Sequence, residues 1–521
     1  MPASFKLSTI NASAILSVTV LTVLGVWLKT RRKVKLPLPP SPPGDPILRH
    51  LRYIPAEGPE DQFAEWSKEY GDVMLVRVLN RKMIILNSAE AAIDLLERRS
   101  WNYSDRPDFP IFKILDWVPS LTFLPYGKQF QKHRRLFKQY FGKAKVINYS
   151  PIQTREARRL ALNLLANPSD RETHLHQFAT AIVVRIAFGH DILSADDPYA
   201  KITGSNSYIL HHCGPPGGTP VDLFPFLQYF PSWFPGAFFA GRAREFRAFS
   251  RDIFDYPIVD VQQQMANGTA KPSFLSYHLE RLHREENETP EELEDVKGAA
   301  GTIYGAATDT TWSSLSVLIL AMTLYPEVQQ RVHQELDELL EGSRLPEIED
   351  RRTLPYLECA LKETLRCFIT HLRAGVPHRV MEDDVYKGMF IPKGSLVFAN
   401  MRGISMNDAV HHEPQRFNPS RYLPKSQGGL GEPDPAAFGF GRRICPGRYL
   451  ADTSLWLAMA TILSLYEIRK VKGPDGKEIT PTIALISGLT SHPKPYQCEM
   501  HLRNEKARKL LEQIRVELMS E

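Results

Sequence analysis

Near its C-terminus the chain reads Phe438-Gly439-Phe440-Gly441-Arg442-Arg443-Ile444-Cys445-Pro446-Gly447. The run sets one thiol on a glycine-rich loop, with an aromatic seven residues before it and a basic side chain two before. A segment of helical character begins directly after. A thiolate stays ionised beside positive charge, which a metal ion and a helix N-terminus both supply. Cys445 is therefore a candidate axial ligand to haem iron, where a thiolate pushes electron density onto the metal and favours O–O cleavage. A core cysteine in a loop is the plainer alternative, but it leaves the arginines and glycines around the sulfur without a purpose.

A second cluster lies between Pro290 and Pro326, the longest helical candidate in the chain. Thr289 is placed to cap its start, with Pro290 in the first turn and Glu292 completing a capping box. In its middle stands Gly305-Ala306-Ala307-Thr308-Asp309-Thr310-Thr311. Small residues let a flat group approach the backbone, and a threonine hydroxyl bonding back to a carbonyl bends a helix. Tight helix–helix packing would use the same small residues. An acid beside an alcohol in an apolar helix is costly without a task, which favours the chemical reading.

The spaced pattern Phe-x-x-Gly-x-Arg-x-Cys-x-Gly at 438–447 resembles the haem-binding signature of the cytochrome P450 family at every fixed position. The resemblance implies an α-rich fold with small β-sheets, a large helical haem domain joined to a small β-rich lobe, behind an N-terminal transmembrane helix. It implies Cys445 as the axial iron ligand, with Phe438 and Gly441 shaping its loop. Asp309 and Thr310 resemble the family's acid–alcohol pair that moves protons, and Ala306 would face the haem plane. Arg134, in Tyr126–Arg135, and Arg443 would neutralise the haem propionates, joined by His378. Glu363, Arg366 and Arg416 match the family's Glu–Arg–Arg network behind the haem. Two positions depart from the pattern: Ala307 replaces a usual glycine, and Phe130 a usual tryptophan.

These residues need a body to hold them. With 521 residues and 43% hydrophobic content the chain can bury a large core. Five cysteines without CxxC spacing speak against a disulfide framework or a zinc site. A net charge of +5 gives no sign of a nucleic-acid binder. Met74–Val78 and Met83–Leu86 read as paired strands across a short turn.

From Leu7 to Leu28 no residue is charged, and Lys29, Arg31, Arg32, Lys33 and Lys35 follow. A helix of that length spans about 33 Å, enough for a bilayer. The charge order leaves the rest of the chain in the cytosol. The expected organisation is a signal anchor over 1–28 in the endoplasmic reticulum membrane, a basic and proline-rich spacer over 29–46, and a catalytic domain over 47–521. Residues 213–241 carry many aromatics, read with equal weight as core or as a lipid-facing entrance. The tail from Asn504 reads as a solvated amphipathic helix.

The resemblance then implies a membrane-anchored haem b monooxygenase. It would take electrons from NADPH through a reductase, with cytochrome b5 as a further donor, and oxidise an apolar small molecule such as a terpenoid or polyketide secondary metabolite of fungal type. The basic run Lys128, Lys132, His133, Arg135, Lys138, Lys143 and Lys145 would steer the acidic donor. The pocket would draw on Arg106–Leu124, 213–241, Ile303–Thr310, Ile369–Val376 and Ser487–His492, with Asp108, Asp116 and His371 as polar handles. A haem-thiolate isomerase or dehydratase, needing no reductase, and a non-catalytic haem sensor are the rival readings. The Asp309–Thr310 pair and the lack of a recognisable signalling segment weigh against them.

Overall fold

The computed structural model describes residues 36–520, apart from 56, 118, 195, 215, 287–288, 368–374, 487–489 and the side chain of residue 211. The expected anchor over 1–28 lies outside them. No helix among the described residues is long and apolar enough to cross a membrane.

The longer helices are α1 (Pro59–Tyr70), α2 (Lys128–Phe141), α3 (Ser150–Ala166), α4 (Arg171–Phe188), α5 (Pro198–His212) and α6 (Phe238–Ala266). They continue with α7 (Phe274–Arg284), α8 (Pro290–Leu324), α9 (Pro326–Leu340), α10 (Pro355–Cys367), α11 (Arg448–Leu465) and α12 (Glu505–Ser520). Helix α8 runs its whole length between the two prolines and packs against α4, α6 and α11. Its residues after Lys297 carry Asp309 as their one charge and are buried on nearly every side, as a helix through a large core must be. Thr289 accepts the N–H of Glu292, but the reciprocal half of the expected box goes elsewhere: Glu292 pairs with Lys132 Nζ at 2.5 Å.

The β-rich lobe is built on a four-stranded sheet. Strands β1 (Val73–Val78) and β2 (Arg81–Leu86) form the expected antiparallel hairpin. Strand β4 (Leu396–Ala399) lies parallel to β2, and β3 (His378–Arg379) pairs antiparallel with β4. Successive residues of a strand face opposite ways. Val73, Leu75, Ile84 and Leu86 accordingly enter one apolar cluster, whereas Met74, Val76, Met83 and Ile85 enter another on the far face.

The proline run is drawn onto this lobe. Pro37 O accepts from Phe390 N–H and Pro40 O from Leu75 N–H, both at 2.7 Å, and the His50 ring bonds Pro42 O at 2.8 Å. A proline-rich strand end lacks donors but keeps its carbonyls, so it docks as an acceptor edge. Helix α12 differs from the expected solvated tail: Ala507, Leu510, Leu511 and Ile514 are buried, and the helix lies on α3.

Candidate functional site

The cysteine loop is anchored in two cores at once. Phe440 belongs to the apolar cluster on one face of the sheet, and Phe438 packs on the large helical cluster. Between them Gly441 takes φ +55°, where a Cβ would stand 2.1 Å from Leu96 O, so only glycine lets the loop lie this close to its neighbour. Cys445 N–H donates to Phe438 O at 2.9 Å and closes the turn. Helix α11 starts right after Gly447, and the N–H groups of Gly447 and Arg448 point to the Cys445 sulfur. Burial raises the Cys445 thiol above its ordinary value, while those amides and the charges of Arg134 and Arg448 act in the opposite sense. Such a sulfur needs a further positive partner to hold a thiolate, because the amides and arginines only partly offset its burial.

Cys445 opens onto a cavity of about 300 Å³. The facing wall is α8, which contributes Ile303, Ala306, Ala307, Thr310 and Thr311. Thr310 Oγ1 donates to Ala306 O at 3.0 Å, the back-bond expected of it. The small residues of α8 serve two surfaces. Gly298 and Gly301 admit Pro119 and Phe254 at distances no Cβ would allow, while Ala306 stays open toward the cavity.

Asp309 does not line this cavity. It sits one residue farther round α8, buried against α4 and α5, where the Ser207 hydroxyl donates to Oδ1 and His176 Nε2 lies 3.7 Å away. The structure thus brings Cys445, Phe438, Ala306 and Thr310 around one space and sets Asp309 behind the last of them.

One side of the cavity is cationic. Arg106, Arg134, His378 and Arg443 all line it, and no Asp or Glu does among the described residues. Arg443 donates to the carbonyls of Ser104 at 2.7 Å, Leu121 at 3.3 Å and Leu124 at 2.7 Å. Arg134 donates to Ile444 O at 2.7 Å, and Arg106 to Val376 O at 2.6 Å and Pro377 O at 2.9 Å. The His378 Nδ1–H donates to Tyr103 O at 2.6 Å. Burial lowers all four: Arg443 to about 9, Arg134 below its usual range, and Arg106 and His378 far below theirs. Asp105 is near, but its carboxylate is spent on Tyr126 N–H and Arg379. Buried guanidinium groups without a carboxylate partner call for an anionic ligand. A thiol on one wall, small residues on the other and these cations at the side suit a flat metallated macrocycle bearing carboxylates. Arg106 was foreseen only as part of a pocket stretch; its sequence signal is a lone cation just before an aromatic run.

The scaffold brings one correction. Glu363 and Arg366 pair at 2.8 Å with neither side chain exposed, as the network requires. The third member is Arg421 and not Arg416. Arg421 Nε lies 3.0 Å from Glu363 Oε2, and its Nη1 lies 3.0 Å from Glu432. Arg416 ends a turn that begins at Glu413, so its carbonyl points inward and accepts from Arg421 at 3.1 Å while its side chain is exposed. A second turn, Pro419–Tyr422, capped by Asn418, then carries Arg421 into the core.

Other expectations sort as follows. His133 is buried against Asp295 at 3.1 Å and Lys132 is held by Glu292 and Asp295, so these two tie α2 to α8. Lys128, Arg135, Lys138, Lys143 and Lys145 are exposed. Asp108 and Asp116 form surface pairs with Lys113 at 2.8 Å and Arg247 at 3.1 Å and do not line the cavity. His371 lies outside the described residues. Of the aromatics in 213–241, Tyr229 and Trp233 are 82% and 79% exposed and Phe226, Phe230 and Phe238 also face outward, while Phe224, Phe234 and Phe239 pack against the core.

Residues 39–500 match the sequence model of the family described as Cytochrome P450. Among curated proteins, the chain is 36% identical over 513 residues to cytochrome P450 monooxygenase 136 of Postia placenta, covering 98% of this chain and 97% of that one. It is 38% identical to cytochrome P450 monooxygenase claR of Ampulloclitocybe clavipes, over 95% of this chain and 91% of the relative. To cytochrome P450 monooxygenase COX1 of Coprinopsis cinerea it is 36% identical, over 94% and 97%.

Proposed function

The chain belongs to the cytochrome P450 family as a monooxygenase, and from that premise we propose that it holds haem b on Cys445 and oxidises an apolar small molecule with electrons from NADPH. The observation that carries the reading is the cavity itself, with Cys445 and Thr310 on its walls and four basic side chains, unmatched by acid, at its side. Cys445 is the iron ligand. Arg443, Arg134 and Arg106 hold the propionates, His378 joins them once the approach of a carboxylate protonates its ring, and Phe438 and Gly441 set the loop. When bound, the haem supplies dioxygen activation and oxidation of a substrate C–H bond. The chain supplies the surroundings: apolar walls at Leu121, Ile303, Ala306 and Val376 take up the substrate and exclude water. The Thr310 hydroxyl turns from Ala306 O to hand a proton to the cavity, and Asp309 behind it replenishes that proton.

The electron donor is an NADPH-dependent reductase, with cytochrome b5 as a second donor. The exposed Lys128, Arg135, Lys138, Lys143 and Lys145, on α2 and just after it, support an acidic partner there. The protein sits on the endoplasmic reticulum membrane by residues 1–28, with its catalytic body in the cytosol. Two things support this: the uncharged run Leu7–Leu28 with basic residues after it, and the exposed Tyr229 and Trp233. Leu223, at the foot of that aromatic segment, packs on the same cluster as Leu51 and Ile54, near the chain's entry into the body. The substrate is a secondary metabolite such as a terpenoid or polyketide, in keeping with the apolar walls.

The test is the carbon monoxide difference spectrum of the reduced protein. Wild type should give the Soret band of a thiolate ligand, and Cys445→Ala should lose it. A variant that keeps the band removes Cys445 as the ligand.

A further inference from the structure

We infer that His176 is the solvent-side station of the proton route that ends at Thr310, passing its proton to Asp309. The inference rests on the reading of Asp309 and Thr310 given above and extends it to a residue on another helix.

Asp309 is only 2% exposed, so it has no direct supply from bulk water. Its Oδ1 is held by the Ser207 hydroxyl of α5. Its Oδ2 has no hydrogen-bond partner in the structure. A buried carboxylate oxygen left alone is costly unless water reaches it. The Oδ1 atom of Asn206, one residue before Ser207 on α5, is likewise buried and unpartnered, and the Nδ2 atom of the same side chain faces Gly305 of α8. The α5–α8 seam thus carries two orphaned oxygens, which is the polar lining an internal water needs.

His176 supplies the outer end. Its Nε2 stands 3.7 Å from Asp309 Oδ1, and its side chain is 21% exposed, so one ring touches both the buried acid and solvent. Its edge packs against Trp312 at 5.8 Å between ring centroids. Trp312 is two residues beyond Thr310, and its indole N–H is tied to Glu172 Oε2 at 2.9 Å. The imidazole is therefore aimed by the same helix that carries the acid and the alcohol.

The step moves one proton and no electrons. A small rotation of the His176 ring closes the 3.7 Å gap to hydrogen-bond distance, and Nε2 then gives a proton to the Asp309 carboxylate, leaving neutral imidazole and a carboxylic acid. The carboxyl group turns and passes the proton through water at Oδ2 to the Thr310 hydroxyl, which turns from Ala306 O and releases its own toward the cavity. Bulk water reprotonates His176. Because it acts through Asp309, His176 is a positioning residue, and its contribution is supply.

The experiment uses the haem-loaded full chain with purified reductase and NADPH and no added substrate. It compares His176→Phe, which keeps an aromatic edge for Trp312, with His176→Gln, Asp309→Asn and Thr310→Ala. The readouts are hydrogen peroxide formed per NADPH and the solvent deuterium isotope effect on NADPH oxidation. Crystals of the iron-free and loaded wild type are checked for water on Asp309 Oδ2. Both His176 variants should keep the carbon monoxide band, raise the ratio of peroxide to water about tenfold and change the isotope effect. An ordered water should sit on Oδ2. If Asp309→Asn and Thr310→Ala leak peroxide while both His176 variants match wild type, His176 is not the inlet and the acid–alcohol reading stands. If Asp309→Asn and Thr310→Ala leave the ratio unchanged, that reading falls and the inlet with it. A dry Oδ2 in both crystals also overturns the route.

Discussion

Arg421 Nε lies 3.0 Å from both carboxylate oxygens of Glu363, and neither side chain is exposed to solvent. Arg366 holds the same carboxylate from the other side, so one buried anion is shared by two buried cations. Removing either cation strands charge in the core. Arg421→Ala should therefore cost about 3–5 kcal/mol. Arg416→Ala, at the surface, should stay within about 0.5 kcal/mol. Urea unfolding of the two variants decides between them, and equal losses would return Arg416 to the network.

The Arg443 guanidinium carbon stands 3.8 Å from the centroid of the Phe130 ring, at the position where a family tryptophan is expected. The ring keeps the stacking face and gives up only an indole N–H. Phe130→Leu should weaken the hold on Arg443 by about 0.5–2 kcal/mol. Phe130→Trp should strengthen it. Rates of haem transfer to an apo-globin acceptor measure both, with faster loss from Phe130→Leu as the expected result.

Gly441 and Gly439 both take positive φ, but only Gly441 is crowded, by Leu96 O. Gly441→Ala should abolish the thiolate band, because the loop must move to admit a methyl group. Gly439→Ala meets open space and carries the backbone strain alone, about 1–2 kcal/mol. It should keep most of the band in the carbon monoxide spectrum.

His278 on α7 is fully buried among Phe274, Tyr140 and Tyr277, and both of its ring nitrogens lack partners. Burial lowers it to about 4, from an ordinary 6.5. The unfolded chain therefore takes up a proton between these values that the folded chain refuses. Stability is full above pH 6.5 and falls as pH drops toward 4, by roughly 3 kcal/mol at most. His278→Leu should flatten the fall in melting temperature across that window, and an unchanged slope would assign the acid sensitivity to other groups.

Much of the site was legible because it is local. The cysteine loop, the strand pair and the long helix between its prolines are each specified by residues close in sequence, through turn chemistry, alternation and the absence of breakers. Arg416 was misplaced because an arginine near a turn can point either way. Which of two arginines five residues apart enters the core depends on where the second turn, capped by Asn418, returns the chain. Lys132 and His133 likewise read as part of the basic run that would steer an acidic donor, and only the approach of α8 gives them Glu292 and Asp295 as partners.

The sequence by itself determined the candidate thiol on its glycine loop, the acid beside the alcohol and the family, since these are covalent spacings that no packing can change. The tertiary structure decided which way each side chain faces. It turned Thr310 into the cavity and Asp309 away from it, toward Ser207 and His176 on helices more than a hundred residues earlier. It also gathered Arg106, Arg134, His378 and Arg443, scattered along the chain, at one side of a space that no acid lines among the described residues. Such convergence depends on how distant elements pack, and no local window of residues encodes it.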